Sequence, residues 1–599
     1  MTNKLAHVLR KNKTTRIPHN FIFYDTESYQ ERKGSITKHK LRLGWACYVH
    51  IRSSKDKFTT TEKWFKFTDK KQFWDWVMSL VREKTCFYLV AHNQHFDFII
   101  LDGINYLKKL GYEIEKWVVD SDIFVMKFRK GSSSIVVMDS LNIFKASIEQ
   151  LGKVLGKEKK KIDFKRCSEE ELSEYCKRDV EILKDMFLNW VRFIKDHDLG
   201  CFKYTLAGQA LAAYRHKFYK HEIYIHANKD IIKLERESYR GGRSEAFRLG
   251  MINERVYYLD VNSLYPYVMK EFEYPTRLIK WGRKLSLKGL KRFLSKFCVI
   301  ARVKVRTEEN VFGIKDERLI FPIGEFWATL CSEELRYALE NCEILEIKDY
   351  AVYERAKIFE DYVDFFNSLK EKYSREGNAV MRNIAKLLLN SLYGKFGQKN
   401  EKWIQSGYIG FEDNYVTKYI NLRTGKSGLL YCLGGKQYIK YSDEEEAFDS
   451  FVAIASEVTA NARMYLWKLM KTAGLENVYY VDTDSIFCNE EGYRNLEHLV
   501  DQHRLGYLKL EGVSDQMIIR NVKDYTFAGI EKIKGVKKNS KKLDENRFLT
   551  ERFYKFRTLL RKGSLDTPIS EEYIKELKRE YKKGIVTPDG RVLPLVISH

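Results

Sequence analysis

Short apolar runs that break abruptly into acidic or amide residues recur along this chain. FIFYDTESY opens with the β-prone run Phe21–Tyr24 and turns polar at Asp25 and Glu27. CFYLV is a second such run and leads into AHNQHFDFIIL. VYYLDVNSLYPYVM reads as a strand, a turn and the start of a helix, and VYYVDTDSIF as a hairpin-like element. Helical spacing appears instead in YCKRDVEIL, in TLAGQALAAYRHKF (Thr205–Phe218), in MRNIAKLLLNSLYGKFGQ and in Glu571–Lys583. The intervals Arg277–Lys372 and Gly407–Phe448 hold no chemical motif and read as inserted structural subdomains. Strand-like and helix-like segments thus alternate along the chain.

Charge changes the picture. Lys+Arg number 106 against 82 Asp+Glu, a formal net charge of +24, which points first to a polyanionic partner. Aromatic residues reach 14%, and their faces can stack on unpaired bases. No stretch approaches the roughly 20 apolar residues of a membrane span, so no membrane partner is expected. MTNKLAHVLRKNKTTR is basic but lacks the apolar core of a secretory leader. The 10 cysteines form no CxxC pair, so neither zinc nor disulfides are expected and a reducing cytoplasm fits. A Walker-type phosphate loop is missing, which removes an ATP-driven motor.

Two zones carry the chemistry. In the first, Asp25 and Glu27 stand two apart on a strand and so share a face. Asn93, Phe96 and Asp97 follow the second apolar run, and Tyr175 and Asp179 are i and i+4 on a helix. Four acids and a tyrosine can hold two hard divalent ions and orient a water for phosphodiester displacement. His92 and His95 read as packing residues, because hard cations take oxygen. In the second zone Asp260 and Asp484 are the pair of metal bridges, with Asp482 two residues before Asp484. A magnesium pair there suits a triphosphate and a primer hydroxyl. Arg382, Lys386, Asn390 and Tyr393 recur every three or four residues and are expected on one helix face.

DxxSLYP, KxxxNSxYG and DTDS, in that order, resemble the motif set of family B DNA polymerases. DTES, NxxxFD and YxxxD upstream resemble that family's 3′–5′ exonuclease motifs, and the likeness runs from about Phe21 to Lys538. SYRGGRSE at Ser238–Glu245, the NSLYGKFG form and two motif-free inserts are similar to the protein-primed branch of phages and linear plasmids. The resemblance implies an α/β multidomain chain: a ribonuclease-H-like exonuclease and a right-hand polymerase with an antiparallel palm and helical fingers and thumb. It implies an exonuclease domain at 1–200, a connecting helical segment at 201–235 and palm at 236–275. Terminal-protein-region insertions would follow at 276–371 and 401–450, with fingers at 372–400, the second palm part at 451–530 and thumb at 531–599.

Carried onto matching positions, the resemblance makes Asp25, Glu27, Asp97 and Asp179 ligands of the exonuclease metals, with Tyr175 orienting the water. Lys161 becomes the lysine assisting exonucleolysis. Ser28, Asn93, Phe96, Ser140 and Leu141 would contact the unpaired 3′ end. Asp260, Val261 and Asp484 would hold the polymerase metals, supported by Asp482. Tyr265 would exclude a ribose 2′-hydroxyl. Lys372 and Lys386 would bind phosphates, with Asn390 and Tyr393 beside the nucleotide. Tyr239, Gly241 and Gly242 would follow the template, and Lys523, Tyr525 and Lys534 the primer. The chain departs from the family's pattern at Lys532–Lys538. The implied cofactors are two Mg²⁺ or Mn²⁺ per site. The implied partners are template-primer DNA, dNTPs and a terminal protein, for a monomer in a host cytoplasm.

Three other readings stay open. One is a primer-independent or conventionally primed polymerase of a mobile element. Another is a catalytically inactive DNA-binding protein, against which the clustered carboxylates argue. A reverse transcriptase fits less well, since Thr483 separates the two acids that its Tyr-x-Asp-Asp turn would join.

Overall fold

The computed structural model describes residues 5–54, 57–120, 122–159, 162–164, 166–408 and 414–598. The strand Asn20–Lys33 is the spine of the N-terminal half. It pairs antiparallel with Ile36–Ser53 on one side and parallel with Cys86–Ala91 on the other, and Cys86–Ala91 pairs parallel with Ser133–Asp139. Phe124–Lys130 and Glu113–Val119 complete that edge. The run Phe21–Tyr24 is wholly apolar because both faces of the sheet are covered. Phe21 and Phe23 pack with Val180, Leu183 and Phe187 of the helix Glu169–Asp196. Ile22 and Tyr24 pack on the opposite side with Phe73, Trp74 and Phe98. Period-2 alternation then puts Asp25 on the face of the long helix.

A second, wholly antiparallel sheet has the order Ser244–Ala246, Val478–Asp482, Ser485–Cys488, Val256–Val261, Leu508–Ser514. Its central hairpin closes through the two residues Thr483 and Asp484, with Thr483 left-handed at φ 68°. The helix Val452–Ala473 is buried along most of its length, and its residues share the main core with Val261 and Leu264 from this region. Helices Glu360–Arg375 and Ala379–Leu389 form a pair joined by a short turn through Gly377, φ 66°. The first insert supplies Tyr274–Arg283, Cys298–Thr307, Ile323–Leu330 and Glu343–Ala356 to a seven-stranded sheet. The second is a four-stranded antiparallel sheet, 399–446.

Several expectations need correction. Glu571–Lys583 is not helical: Ile569–Glu576 is a strand clamped between Arg547–Phe553 and Ile36–Ser53. The C-terminal region is therefore mostly strands with one short helix, Phe556–Arg561, and part of it extends the N-terminal sheet. The expected thumb at 531–599 is thus neither helical nor separate. Val596–Ser598 pairs with Ile323–Leu330 of the first insert. The boundaries at 235/236, 275/276, 371/372, 400/401 and 530/531 each cut a continuous helix or strand. The helix expected through Tyr393 stops at Leu389, with Asn390 as its C-cap and Tyr393 in a separate 3₁₀ turn.

Candidate active sites

The first carboxylate cluster lies where the spine strand meets the long helix. One ligand atom each from Asp25, Glu27 and Cys176 lies within 4.8 Å of the others. Burial, with Asp179 beside it, pushes the Asp25 carboxyl up to about 7. Burial, Asp25 and Asp179 push Glu27 up to about 9. Asp97 comes from the helix Gln94–Ile100, accepts a hydrogen bond from Thr26 Oγ1 at 2.6 Å, and is raised well above its ordinary range by burial and Asp25. Burial also raises Asp179, whose Oδ1 has no hydrogen-bond partner among the described residues. Crowded acids raised together, one with an orphaned buried oxygen, form a donor set that fits hard divalent cations. Cys176 does not join it, because burial keeps its thiol protonated.

Lys161 lies outside the described residues. Among the described residues Lys159 faces the cluster: its ammonium sits 2.5 Å from Asp179 Oδ2 and 4.4 Å from the centre of the Tyr175 ring. Burial raises Tyr175 to about 12, so its hydroxyl remains a donor at neutral pH. The cluster opens into a cleft of about 890 Å³ lined by Asp25, Asn93, Leu141, Lys159, Tyr175 and Asp179 among others. Asp139, absent from the expected site, anchors its wall: it accepts N–H bonds from Asn93 (3.2 Å), Gln94 (2.8 Å) and Leu141 (2.9 Å). These bonds hold Asn93 at φ 115°, a conformation that needs such fixing. Ser140 Oγ lies 2.7 Å from His92 Nδ1, and Ser28 Oγ lies 3.1 Å from His39 Nδ1. Phe96 packs edge-on against His39 and against Phe553 of the C-terminal hairpin, at 5.4 and 5.9 Å.

The second cluster sits on the antiparallel sheet. Asp260 pairs in register with Ser485, beside the Thr483–Asp484 turn, and Val261 N–H donates to the Asp484 carbonyl at 2.8 Å. Burial, then Asp484 and Glu511, push Asp260 up to about 7, while Lys386 and Lys509 oppose the rise. Burial raises Asp484 as well, with Asp482 adding to it. Val261 can offer only its backbone oxygen. Asp482 is tied elsewhere: Ser244 Oγ donates to it at 2.6 Å, and Lys523 and Lys532 approach at 3.3 and 3.9 Å. Tyr265 and Tyr393 stack at 4.8 Å with planes 1° apart.

The helix pair brings Arg382 and Lys386 together with Lys370, whose ammonium is lowered by burial and by these two cations. Lys372 is not part of this group: it is 56% exposed and 4.0 Å from Glu376. Asn390 is exposed and donates to the Lys386 carbonyl at 2.8 Å, which caps the helix. Gly242 packs on the Thr483–Asp484 turn, where a Cβ would come within 2.7 Å of Thr483 Cγ2, and Arg463 donates to the Gly241 carbonyl at 3.1 Å. Tyr239 packs against Gly397. Tyr525 is buried between Tyr480 and Phe487, so only Lys523 and Lys534 of that trio line an open cleft.

The sequence model of DNA polymerase type B, organellar and viral, matches residues 155–473, just over half of the chain. The chain belongs to this family. Among family B relatives, a DNA-directed DNA polymerase of Enterobacteria phage PRD1 is 26% identical over 450 residues, 68% of this chain and 71% of that protein. A probable DNA polymerase of Neurospora intermedia is 28% identical over 367 residues, 58% of this chain. The chain spans about a third of that protein's length, 36%, and 27% of a Podospora anserina relative. Phi29 DNA polymerase complexed with primer-template DNA and incoming nucleotides is similar in structure at a TM-score of 0.67 and 17% identity, over 94% of this chain and all of that one. The shared fold is thus a ribonuclease-H-like N-terminal domain followed by palm, fingers and thumb. Among the described residues no helix is long and apolar enough to cross a membrane.

Proposed function

We propose that this family B chain is a DNA-directed DNA polymerase with a separate 3′–5′ proofreading exonuclease. The observation that carries the reading is the pairing of Asp260 with Asp484 beside Lys386 and the stacked Tyr265–Tyr393 platform. Two divalent ions per site, magnesium or manganese, would supply the positive charge that in-line phosphoryl displacement needs. Asp260, Val261 and Asp484 would hold them for synthesis, and Asp25, Glu27, Asp97 and Asp179 for trimming. Lys386, with Arg382 and Lys370, neutralises the incoming triphosphate. Tyr265, braced by Tyr393, fills the space a ribose 2′-hydroxyl would need. Asp482 fixes Lys523 and Lys532 beside the primer strand, and Gly242 lets the template backbone approach the Thr483 turn. In the trimming site Tyr175 donates to the attacking water while Lys159 holds Asp179 ionised. Asn93, Ser140 and Leu141, fixed through His92 and Asp139, grip a frayed 3′ end.

Priming by a terminal protein and strand displacement belong to the same proposal, and the two motif-free inserts support them. Asp484→Ala is expected to abolish divalent-dependent dNTP incorporation on a primed template and spare trimming. Asp25→Ala with Glu27→Ala is expected to do the reverse, and loss of both activities in either variant overturns the two-site reading. Incubation with labelled dNTP and a candidate terminal protein tests priming through a covalent protein–nucleotide product. Primed synthesis without that product favours conventional priming.

A further inference from the structure

We propose that a track for single-stranded DNA runs along residues 11–19, across the back of the exonuclease sheet and outside both carboxylate sites. A cleft of about 570 Å³ opens at the N-terminal ends of the parallel strands and is lined by Arg16, His19, Lys84, Tyr88, Lys127 and Arg129. Asp139 ends its strand on the far side, and Asp25 follows the parallel-paired stretch Asn20–Phe23. A second cleft of about 460 Å³ shares Arg16, Ile17 and His19 with the first. A third, of about 580 Å³, shares Thr14 and adds Lys11, Lys13, Lys203 and Lys395.

No carboxylate lines the first or the third cleft. Asp198 in the second is engaged by His216 at 2.9 Å. Glu115 pairs with Lys127 and Arg129, but Arg16, Lys84, Lys11, Lys13 and Lys203 make no ion pair among the described residues. The cations are not on a loose arm. Main-chain bonds pin the segment at Leu9 to Ile223 (2.9 Å), Asn12 to Arg215 (3.0 Å), Arg16 to Phe202 (3.1 Å) and His19 to Ile51 (2.7 Å). Fixing so many like charges together opposes folding unless a polyanion screens them. Tyr88, partly buried against Phe21, lines the cleft together with Phe202 and Tyr204, at 6.0 and 6.2 Å, and adds aromatic surface among the cations. Cations interleaved with rings suit an unpaired strand. Nine extended residues reach about 30 Å, several nucleotides long, whereas a nucleoside triphosphate would fill one cleft only.

The binding test does not depend on the polymerase reading. Labelled oligo(dT) is titrated onto the full chain carrying Arg16→Glu with Lys84→Glu, and onto the milder Lys13→Ala with Lys84→Ala. About tenfold weaker binding is expected for the reversals, and a salt slope about 1.4 units shallower for the removal of two phosphate contacts. Primer-templates with long 5′ overhangs should lose affinity while those with two-nucleotide overhangs keep it, at unchanged melting temperature. Affinity within twofold of the parent in both variants overturns the track. So does equal loss on both overhangs, or displacement of the oligonucleotide by pyrophosphate as readily as by unlabelled oligo(dT). Loss of synthesis on every template in the parent chain would instead refute the polymerase reading alone.

Discussion

Replacing Lys159 by alanine removes the one cation that faces the first carboxylate cluster at hydrogen-bond distance among the described residues. Its ammonium is 2.5 Å from Asp179 Oδ2, and the side chains are 22% and 7% exposed. Breaking a buried pair from one side costs about 3–5 kcal/mol, and partial exposure of the lysine places this case near about 3 kcal/mol. The fold recovers part of that by protonating Asp179, which burial already favours. A protonated Asp179 holds a divalent cation less well and orients the Tyr175 water less well. A preorganised charged group at a reacting centre is worth about 10²–10³ in rate. Lys159→Ala should therefore slow trimming of an end-labelled single strand by about 10²-fold in single-turnover assays. Lys159→Arg should restore part of the loss. Asp260 is influenced by Lys386 and Lys509 and not by Lys159, so primed incorporation should stay within about twofold. Trimming within threefold of the parent, or a parallel loss of synthesis, would refute the reasoning.

Asp25, Glu27 and Asp260 rise to about 7, 9 and 7, above the ordinary carboxylate range. Groups raised on folding favour the folded state at low pH, so the ion-free protein should lose stability as pH climbs from about 4 to about 9. Manganese competes with those protons, so its melting-temperature increase should be larger at pH 8.5 than at pH 6; equal increases contradict the cluster assignment. Tyr265→Val removes the ring stacked on Tyr393 and should raise ribonucleotide incorporation relative to deoxyribonucleotide by about tenfold or more, read by competitive extension. Phe553→Ala deletes a ring that is 42% exposed beside Phe96 and His39. It should weaken binding of single-stranded 3′ ends by about three- to tenfold with synthesis unchanged.

The acids were legible because each ends an apolar element whose period fixes its face: Asp25 and Glu27 on a strand, Tyr175 and Asp179 on a helix. The hairpin at Asp484 was legible for the same reason. Lys159 was hidden in KEKKK, where five adjacent charged residues carry no periodicity to mark the one that meets Asp179. Asp139 was read past because its role is to accept backbone N–H bonds, which leaves no spacing signal. The fingers helix seemed to continue through Tyr393, since the polar spacing persists after Asn390 caps the helix. Glu571–Lys583 misled because its polarity fits a solvated helix, while pairing with Ile36–Ser53, more than 500 residues away, makes it a strand. Lys370 and Lys372 differ only in the helix face they occupy, which the position of Ala379–Leu389 decides.

The most direct test of two independent cation-binding centres is anomalous diffraction from crystals grown with manganese. The account predicts peaks between Asp260 and Asp484 and among Asp25, Glu27 and Asp179, with Asp484→Ala removing only the first. Peaks at one cluster alone, or loss of both from that single substitution, would contradict it.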